Sequence, residues 1–230
     1  LPLLAMPLFI IALRQDRVLE HIFGGKAIDY WEGLSICVSF LGLGIRCLTV
    51  GYVPRGTSGR NTKSQLAESL NTTGMYSIIR NPLYMGNFII VFGITLFMQV
   101  WWFALIVWVG FWLYYERIIF SEEEFLRKKF GVLFIEWANK TPLLIPNFSN
   151  WKKPGLPFAL KTVIRREYST FFSIVAVFFF LEVSTNVLHY GKFEVRRSWI
   201  YFFIVGLTIY LTCLILKKKT KLLNVPGRGY

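Results

Sequence analysis

Residues 83–115 read LYMGNFIIVFGITLFMQVWWFALIVWVGFWLYY, and none of these 33 side chains is charged. A membrane-spanning helix needs about 20 mostly apolar residues, so this stretch is too long for one span. Extended to Ile78 and Phe120, it fits two helices with a tight turn near Gln99–Trp101. The stretch therefore predicts a helical hairpin that crosses a membrane twice.

The composition of the whole chain also points to a membrane. Of its 230 residues, 54% are apolar, 18% are aromatic and only 17% are charged, and the mean hydropathy is +0.48. Soluble domains carry about a quarter charged residues, so these values argue against a soluble enzyme. They also exclude a disordered chain, a coiled coil and a secreted disulfide scaffold. The net charge of +13 fits an anionic membrane surface better than it fits nucleic acid.

The cysteines and histidines offer no metal site. Cys37, Cys47 and Cys213 all lie in apolar runs, where the simpler interpretation is a small apolar side chain. The chain has only two histidines, His21 and His189, and this excludes a histidine-rich metal site.

Further apolar segments flank the hairpin. Three of them can fill a bilayer: residues 33–50, 168–190 and 199–216. They contain only two charged residues, Arg46 and Glu182. These mark an ion or proton path, pair with each other, or Arg46 extends its charged group toward the cytoplasmic end of its span. Residues 1–13 are apolar but short, and we interpret them as the remnant of a longer first helix. A signal peptide is the alternative, although no small-residue cleavage site follows.

These segments predict an all-α, multi-pass transmembrane protein with about six spans and a cytoplasmic amphipathic helix. We expect N-terminal transmembrane helices over residues 1–50, a core with the hairpin over residues 51–150 and a helix pair over residues 151–230.

The distribution of Lys and Arg predicts the orientation. The side that receives residues 51–82, 116–167 and the tail from Lys217 carries 19 basic residues, against 6 on the other side. Basic residues are enriched in cytoplasmic loops, so we expect the richer side to be cytoplasmic. In a bacterium this topology predicts the inner membrane, with any active site on the cytoplasmic face.

The first polar stretch on that side covers residues 56–86. It opens with a Gly/Ser/Thr loop that either binds an anion through backbone amides or is simply flexible and solvated. Thr73-Gly74 predicts a turn, and Asn81-Pro82 predicts the start of a helix, with Pro at its first position. Arg80 then lies at the positive end of a transmembrane helix, and the neighbouring Tyr76 and Tyr84 predict an aromatic pocket with polar tips.

The second polar stretch covers residues 114–146, where the hairpin's second helix is predicted to leave the bilayer and continue as an amphipathic helix. Its apolar positions recur at helical spacing; they are Phe125, Leu126, Phe130, Leu133, Phe134 and Trp137. Taken alone, Glu122-Glu123-Glu124 favours a solvated first turn capped by Ser121. The adjacent charges of Glu116 and Arg117 predict a polar cavity or a mutual pair at the mouth of the span.

Two motifs in these stretches resemble those of a known protein family. The run Thr-Gly-Met-Tyr-Ser-Ile-Ile-Arg-Asn-Pro-Leu-Tyr-Met-Gly, residues 73–86, resembles the signature of integral-membrane methyltransferases. That group includes isoprenylcysteine carboxyl methyltransferases and phospholipid methyltransferases. Its second motif, a Glu-Glu helix ending in Phe-Gly and followed by two prolines, is matched by Glu122-Glu123-Glu124-Phe125-Leu126, Phe130-Gly131, Pro142 and Pro146. Residues 54–86 are also similar to bacterial lipid A 1-phosphate methyltransferases.

The resemblance implies a fold without a Rossmann domain and a cofactor, S-adenosylmethionine, bound at the membrane face. The residues carried over as cofactor-binding are Asn61, Leu70, Asn71, Tyr76, Asn81, Pro82, Leu83, Tyr84 and Glu122. Glu122 and Arg117 are carried over as catalytic, with Arg117 orienting the substrate. Two departures stand out. Many relatives have His in place of Asn81, and Arg117 is one position out of register with the family's Arg before the Glu pair.

The acceptor is predicted from charge. Arg55, Arg60 and Lys63, together with Arg117, are the predicted substrate-binding residues, and the first three suit an anionic head group or simply attract anionic lipids. A phosphate or carboxylate oxygen is already ionised at pH 7 and needs no general base. We therefore expect O-methylation of a phosphate on a membrane-embedded lipid. Prenylcysteine carboxylate, a phospholipid amine and a non-catalytic transporter or assembly protein are the alternatives, and the oligomeric state stays open.

Overall fold

The structure is a computed structural model that describes residues 2–15, 25–54, 67–191 and 193–228. Within these ranges the chain is helical and contains no strand. The α-helices are α1 Pro2–Leu13, α2 Gly25–Tyr52, α3 Met75–Ile78, α4 Pro82–Met98, α5 Trp101–Phe130, α6 Val132–Lys140, α7 Leu160–Tyr190 and α8 Arg197–Lys219, with a 3₁₀ turn at Phe148–Asn150. The all-α prediction is confirmed.

Four of these helices, α2, α5, α7 and α8, are long and apolar enough to cross a membrane. Helix α4 is also apolar but has 17 residues, and α1 has 12. The multi-pass helical membrane fold is thus confirmed. Of the six predicted spans, four reach full length and two are shorter helices.

The hairpin forms where the uncharged stretch predicts it. Helix α4 begins at Pro82, whose fixed φ suits the first helical position, and ends at Met98. Gln99 then takes a φ of 59°, which stops the helix before α5 begins at Trp101. The indole Nε1 of Trp108 donates to Thr95 Oγ1 at 3.0 Å and joins the two arms.

Helix α5 continues well beyond the length of one span, as predicted, and it ends at Phe130. Gly131 has a φ of 53°, which breaks the helix and starts α6. Because of this break, the predicted apolar face is divided between two helices. Phe134 is fully buried, whereas its neighbour Leu133 is 67% exposed.

The chain divides into two compact units. Unit 1 comprises Leu1–Leu43, Phe88–Phe111 and Ser169–Thr212, and unit 2 comprises Gly44–Asn87, Trp112–Tyr168 and Cys213–Tyr230. Each unit takes residues from all three of the predicted segments, 1–50, 51–150 and 151–230.

Unit 1 has an aromatic core. The buried ring of Phe97 packs edge-on against Phe178 at 5.3 Å and against Trp199 at 5.6 Å between ring centroids. The buried carboxylate of Glu182 accepts a hydrogen bond from Arg196 at 3.1 Å, and Arg196 also pairs with Asp29 and Glu32. The alternative in which Glu182 pairs with Arg46 is therefore wrong, since Glu182 pairs with Arg196.

Helices α2 and α4 approach closely at Gly93. A Cβ added at Gly93 would lie 2.3 Å from Ser39 Oγ and 2.6 Å from the Ser35 carbonyl oxygen. Gly110 provides a matched control, because an added Cβ there meets no atom within 4 Å.

We predict that Gly93→Ala destabilises the protein by about 1–3 kcal/mol, because the two backbones must separate. Unfolding in detergent micelles measures the change. Gly110→Ala should leave stability unchanged or slightly raised, since Ala is the better helix former. Equal stability of the two variants would show that the close packing of α2 on α4 is wrong.

Candidate functional site

The two sequence motifs meet in unit 2. The phenol of Tyr84, in the first turn of α4, donates a hydrogen bond to Glu122 Oε1 on α5 at 2.7 Å. Arg80 Nη1, just before α4, donates to Glu123 Oε2 at 2.9 Å. Motifs about forty residues apart in sequence therefore share one site at the start of α4.

Three polar atoms at this site are buried without a hydrogen-bond partner among the described residues. They are Nε of Arg80, Nδ2 of Asn81 and Oε1 of Glu123. Buried polar atoms are nearly always paired in native proteins. The site thus offers two donors and one acceptor to a polar ligand.

Aromatic rings line the same place. The ring of Tyr84 packs against Tyr115 with 4.8 Å between centroids. Tyr76 lies in α3, just before the site in sequence, and its carbonyl oxygen accepts from Trp137 Nε1 at 3.0 Å. Tyr84 therefore has an aromatic neighbour in Tyr115, and its grouping with Tyr76 stays a prediction.

The segment before α4, residues 74–80, is held by residues 142–152. Backbone hydrogen bonds run from Gly74 N to Lys152 O at 2.8 Å, from Arg80 N to Pro142 O at 2.9 Å and from Asn147 N to Ile78 O at 2.9 Å. Ser77 Oγ also accepts from the Lys152 amide at 2.9 Å. The stretch that contains the two motif prolines is thus the support that orders the site.

A chain of polar side chains extends from this site into the helices. Tyr115 Oη accepts from Asn87 Nδ2 at 3.0 Å, and Asn87 Oδ1 accepts from Arg46 Nη1 at 2.6 Å. Arg46 donates through Nε and Nη2 to both oxygens of Glu167, each at 2.8 Å. Arg46 and Glu167 are both buried, so this fork satisfies charges that an apolar surrounding cannot solvate.

The glutamate run differs from what its local sequence pattern predicts. Residues 121–124 lie inside α5 and not in a first turn, so the interpretation as a capped, solvated helix start is wrong. Glu122 and Glu123 are half-buried and face α4, whereas Glu124 is exposed and pairs with Lys128 at 2.6 Å. A helical turn of about 100° per residue separates the three side chains.

The structure brings some predicted residues together and leaves others apart. Tyr76, Asn81, Pro82, Leu83, Tyr84 and Glu122 lie at or next to the start of α4. Leu70 and Asn71 are half-buried in the stretch before it. Arg117 is exposed. Its side chain leaves α5 in a direction about 140° away from that of Glu122, so the two do not lie on the same face of this helix. Arg55, Arg60, Asn61 and Lys63 lie outside the described residues.

Asn87, Tyr115 and Glu167 were not predicted from the sequence, and the partner of Arg46 is Glu167 instead of the alternative, Glu182. A signal did exist for Tyr115, which lies seven residues before Glu122 and thus on nearly the same face of α5. Asn87 is likewise one turn beyond Tyr84 on α4. Glu167 gave no local signal, because it is 121 residues away from Arg46 in sequence. Among the described residues, no three His, Cys, Asp or Glu side chains lie together as metal ligands would.

We predict that Arg46→Met and Glu167→Met each destabilise the protein by about 3–5 kcal/mol, because each leaves a buried charge unpaired. The double variant should recover most of that loss, since it removes both charges. Unfolding of all four proteins in detergent completes the double-mutant cycle. Additive losses in the double variant would show that the two side chains do not pair.

Part of the chain is similar to known proteins. Residues 36–132 match the family model described as phospholipid methyltransferase. The chain is 30% identical over 119 residues to the nickel-cobalt-cadmium resistance protein NccN of Alcaligenes xylosoxydans xylosoxydans, covering 52% of this chain and 55% of that protein. It is 27% identical over 122 residues to the cobalt-zinc-cadmium resistance protein CzcN of Cupriavidus metallidurans, covering 53% and 56%.

The chain thus spans about half the length of the curated relatives it matches. No solved structure matches the chain at a significant level. The family match covers the first motif and most of the second, including Tyr84 and Glu122. Residues 36–132 are thus similar to the phospholipid methyltransferase family, and this match confirms the resemblance to integral-membrane methyltransferases.

Proposed function

We propose that the site at the start of α4 binds S-adenosylmethionine and that the protein O-methylates an anionic group of a membrane-embedded substrate, a lipid phosphate above all. The family match supports a membrane methyltransferase in general. The cofactor, the acceptor and the cytoplasmic orientation of the site are our proposal.

The observation that carries the proposal is the contact between the two motifs. Tyr84 bonds to Glu122 and Arg80 bonds to Glu123, so Asn81 and the acidic pair lie within reach of one small molecule. When bound, S-adenosylmethionine supplies an electrophilic methyl group attached to a positively charged sulfur. The same molecule carries a carboxylate and an ammonium group, which need oppositely charged or polar partners.

The residues of the site fit those groups. The backbone amides in the first turn of α4 have no partner within the helix, and they favour a carboxylate. Asn81 Nδ2 is a further buried donor there. Glu122 and the unpaired Oε1 of Glu123 suit an ammonium group. The phenol rings of Tyr76 and Tyr84 favour a positively charged sulfur.

The acceptor follows from the titratable groups at the site. An amine acceptor must lose a proton before it attacks, whereas a phosphate or carboxylate oxygen is ionised at pH 7. Glu122 Oε1 accepts from Tyr84 and Glu123 Oε2 accepts from Arg80, and the remaining Glu123 Oε1 is assigned here to the ammonium group of the cofactor. An ionised oxygen acceptor needs only alignment and the exclusion of water. The names of the relatives refer to metal resistance and give no methyl acceptor.

We predict that Glu122→Gln weakens the binding of S-adenosylmethionine by about tenfold or more, because the amide keeps the shape but loses the charge. Isothermal titration of the detergent-solubilised protein measures the affinity. Glu124→Gln is the matched control and should bind normally, since Glu124 is exposed and faces Lys128. Unchanged affinity in Glu122→Gln would contradict the site. The absence of saturable binding to the native chain at millimolar cofactor would contradict the proposed function.

We also predict that Arg117→Ala and Arg60→Ala keep the cofactor affinity of the native chain but lower methylation, since both residues are assigned to the substrate. The measurement is mass spectrometry of total lipid from cells with and without the gene, followed by the same analysis of each variant. A lipid that gains one methyl group only when the gene is present identifies the acceptor. Loss of cofactor binding in either variant would reassign that arginine.

A further inference from the structure

The segment that supports the site, residues 142–161, has a second face. Its inner side is held at both ends within unit 2. At one end it bonds to residues 74–80, and at the other the Ala159 amide donates to Gly51 O at 2.9 Å. The ring of Phe158 also packs edge-on against Tyr52 at 5.2 Å. The segment is therefore a fixed strap, and we call it the strap below.

The outer side of the strap is apolar and aromatic. Its exposed apolar side chains range from 37% exposed at Leu156 to 81% exposed at Ile145, and the set is Leu144, Ile145, Phe148, Trp151, Leu156 and Leu160. Phe158 is partly exposed as well, but its ring belongs to the inner contact with Tyr52. Three exposed lysines lie among them: Lys152, Lys153 and Lys161. The strap contains no Asp or Glu, so its charge is uniformly positive.

This combination of exposed apolar, aromatic and lysine side chains is typical of a segment that lies at a bilayer surface. A cluster of large apolar side chains exposed to water is unusual in proteins and marks a surface that something covers. Aromatic and basic residues together favour the interface between lipid tails and head groups, particularly where the head groups are anionic. The strap also leads directly into α7, one of the four helices able to cross a membrane, so its end is tied to the bilayer.

We propose that the strap inserts its apolar side chains into the head-group region of the membrane, binds anionic phospholipids through its lysines and thereby stabilises the cofactor site. Lys152 connects the lipid-facing side of the strap with the cofactor site. Its side chain is exposed, while its backbone oxygen and amide bond to Gly74 and Ser77 in the segment before α4. Lipid binding that orders Lys152 also orders residues 74–80. The effect on the cofactor rests on the proposed function, but the membrane contact does not.

The membrane contact is tested with the photoreactive amino acid p-benzoylphenylalanine in place of Phe148, in nanodiscs of equal parts phosphatidylglycerol and phosphatidylcholine. Mass spectrometry should find phospholipid adducts, with the anionic lipid enriched about fivefold over the neutral one. The same probe in place of Ser69, an exposed polar residue of unit 2, should give few adducts. Equal lipid labelling at the two positions, or labelling of protein in place of lipid, would overturn the proposal.

The coupling is tested by titrating S-adenosylmethionine into the protein in nanodiscs with and without phosphatidylglycerol. We expect about fivefold tighter binding with the anionic lipid. The double variant Lys152→Gln/Lys153→Gln should lose this gain. Lys218→Gln/Lys219→Gln removes the same charge from the end of α8 and should keep it, which controls for general attraction of the cationic cofactor to the bilayer.

The outcomes separate the two proposals. If the native chain binds no cofactor in either nanodisc, the proposed function fails. The contact between the strap and the membrane is then tested by the lipid adducts alone. If it binds equally in both, or if the two double variants behave alike, the coupling is wrong while the proposed function stands.

Discussion

A polar side chain buried among apolar helices must find a partner, and unit 2 is organised around this constraint. An unpaired charge in such surroundings costs several kcal/mol. The fork between Arg46 and Glu167 satisfies two charges, and Asn87 links it to Tyr115, whose ring packs on Tyr84. Helices α2, α4, α5 and α7 are joined by this chain, and it fixes the register in which the first turn of α4 meets the glutamates of α5.

The site therefore needs no soluble domain. Its walls are the start of one helix, one face of a second and a loop held by the strap. Helix α4 contributes backbone amides that are free because a helix begins there, and α5 contributes carboxylates where it is no longer apolar. In the proposed function, a water-soluble cofactor and a lipid meet at this junction of apolar and polar chain.

The sequence predicted the features that depend on residues close together along the chain. The uncharged stretch predicted the hairpin and its turn at Gln99, and Asn81-Pro82 predicted the start of α4. The motifs also led to Tyr84 and Glu122, which the structure joins. The partner of Arg46 could not be found in this way, because Glu167 is one of several distant carboxylates and only the folded chain selects among them. The apolar pattern, which continues to Trp137, did not predict the break at Gly131, since a glycine inside such a pattern does not by itself reveal a positive φ.

Direct ultraviolet cross-linking tests the central claim, which is that S-adenosylmethionine binds where the two motifs meet. The detergent-solubilised chain is irradiated with cofactor carrying a radioactive methyl group, and the labelled peptides are mapped by mass spectrometry. Our account predicts labelling of the peptides that contain Tyr76 and Tyr84, abolished by excess unlabelled cofactor. Labelling confined to residues 168–216, or none that unlabelled cofactor competes away, would contradict it.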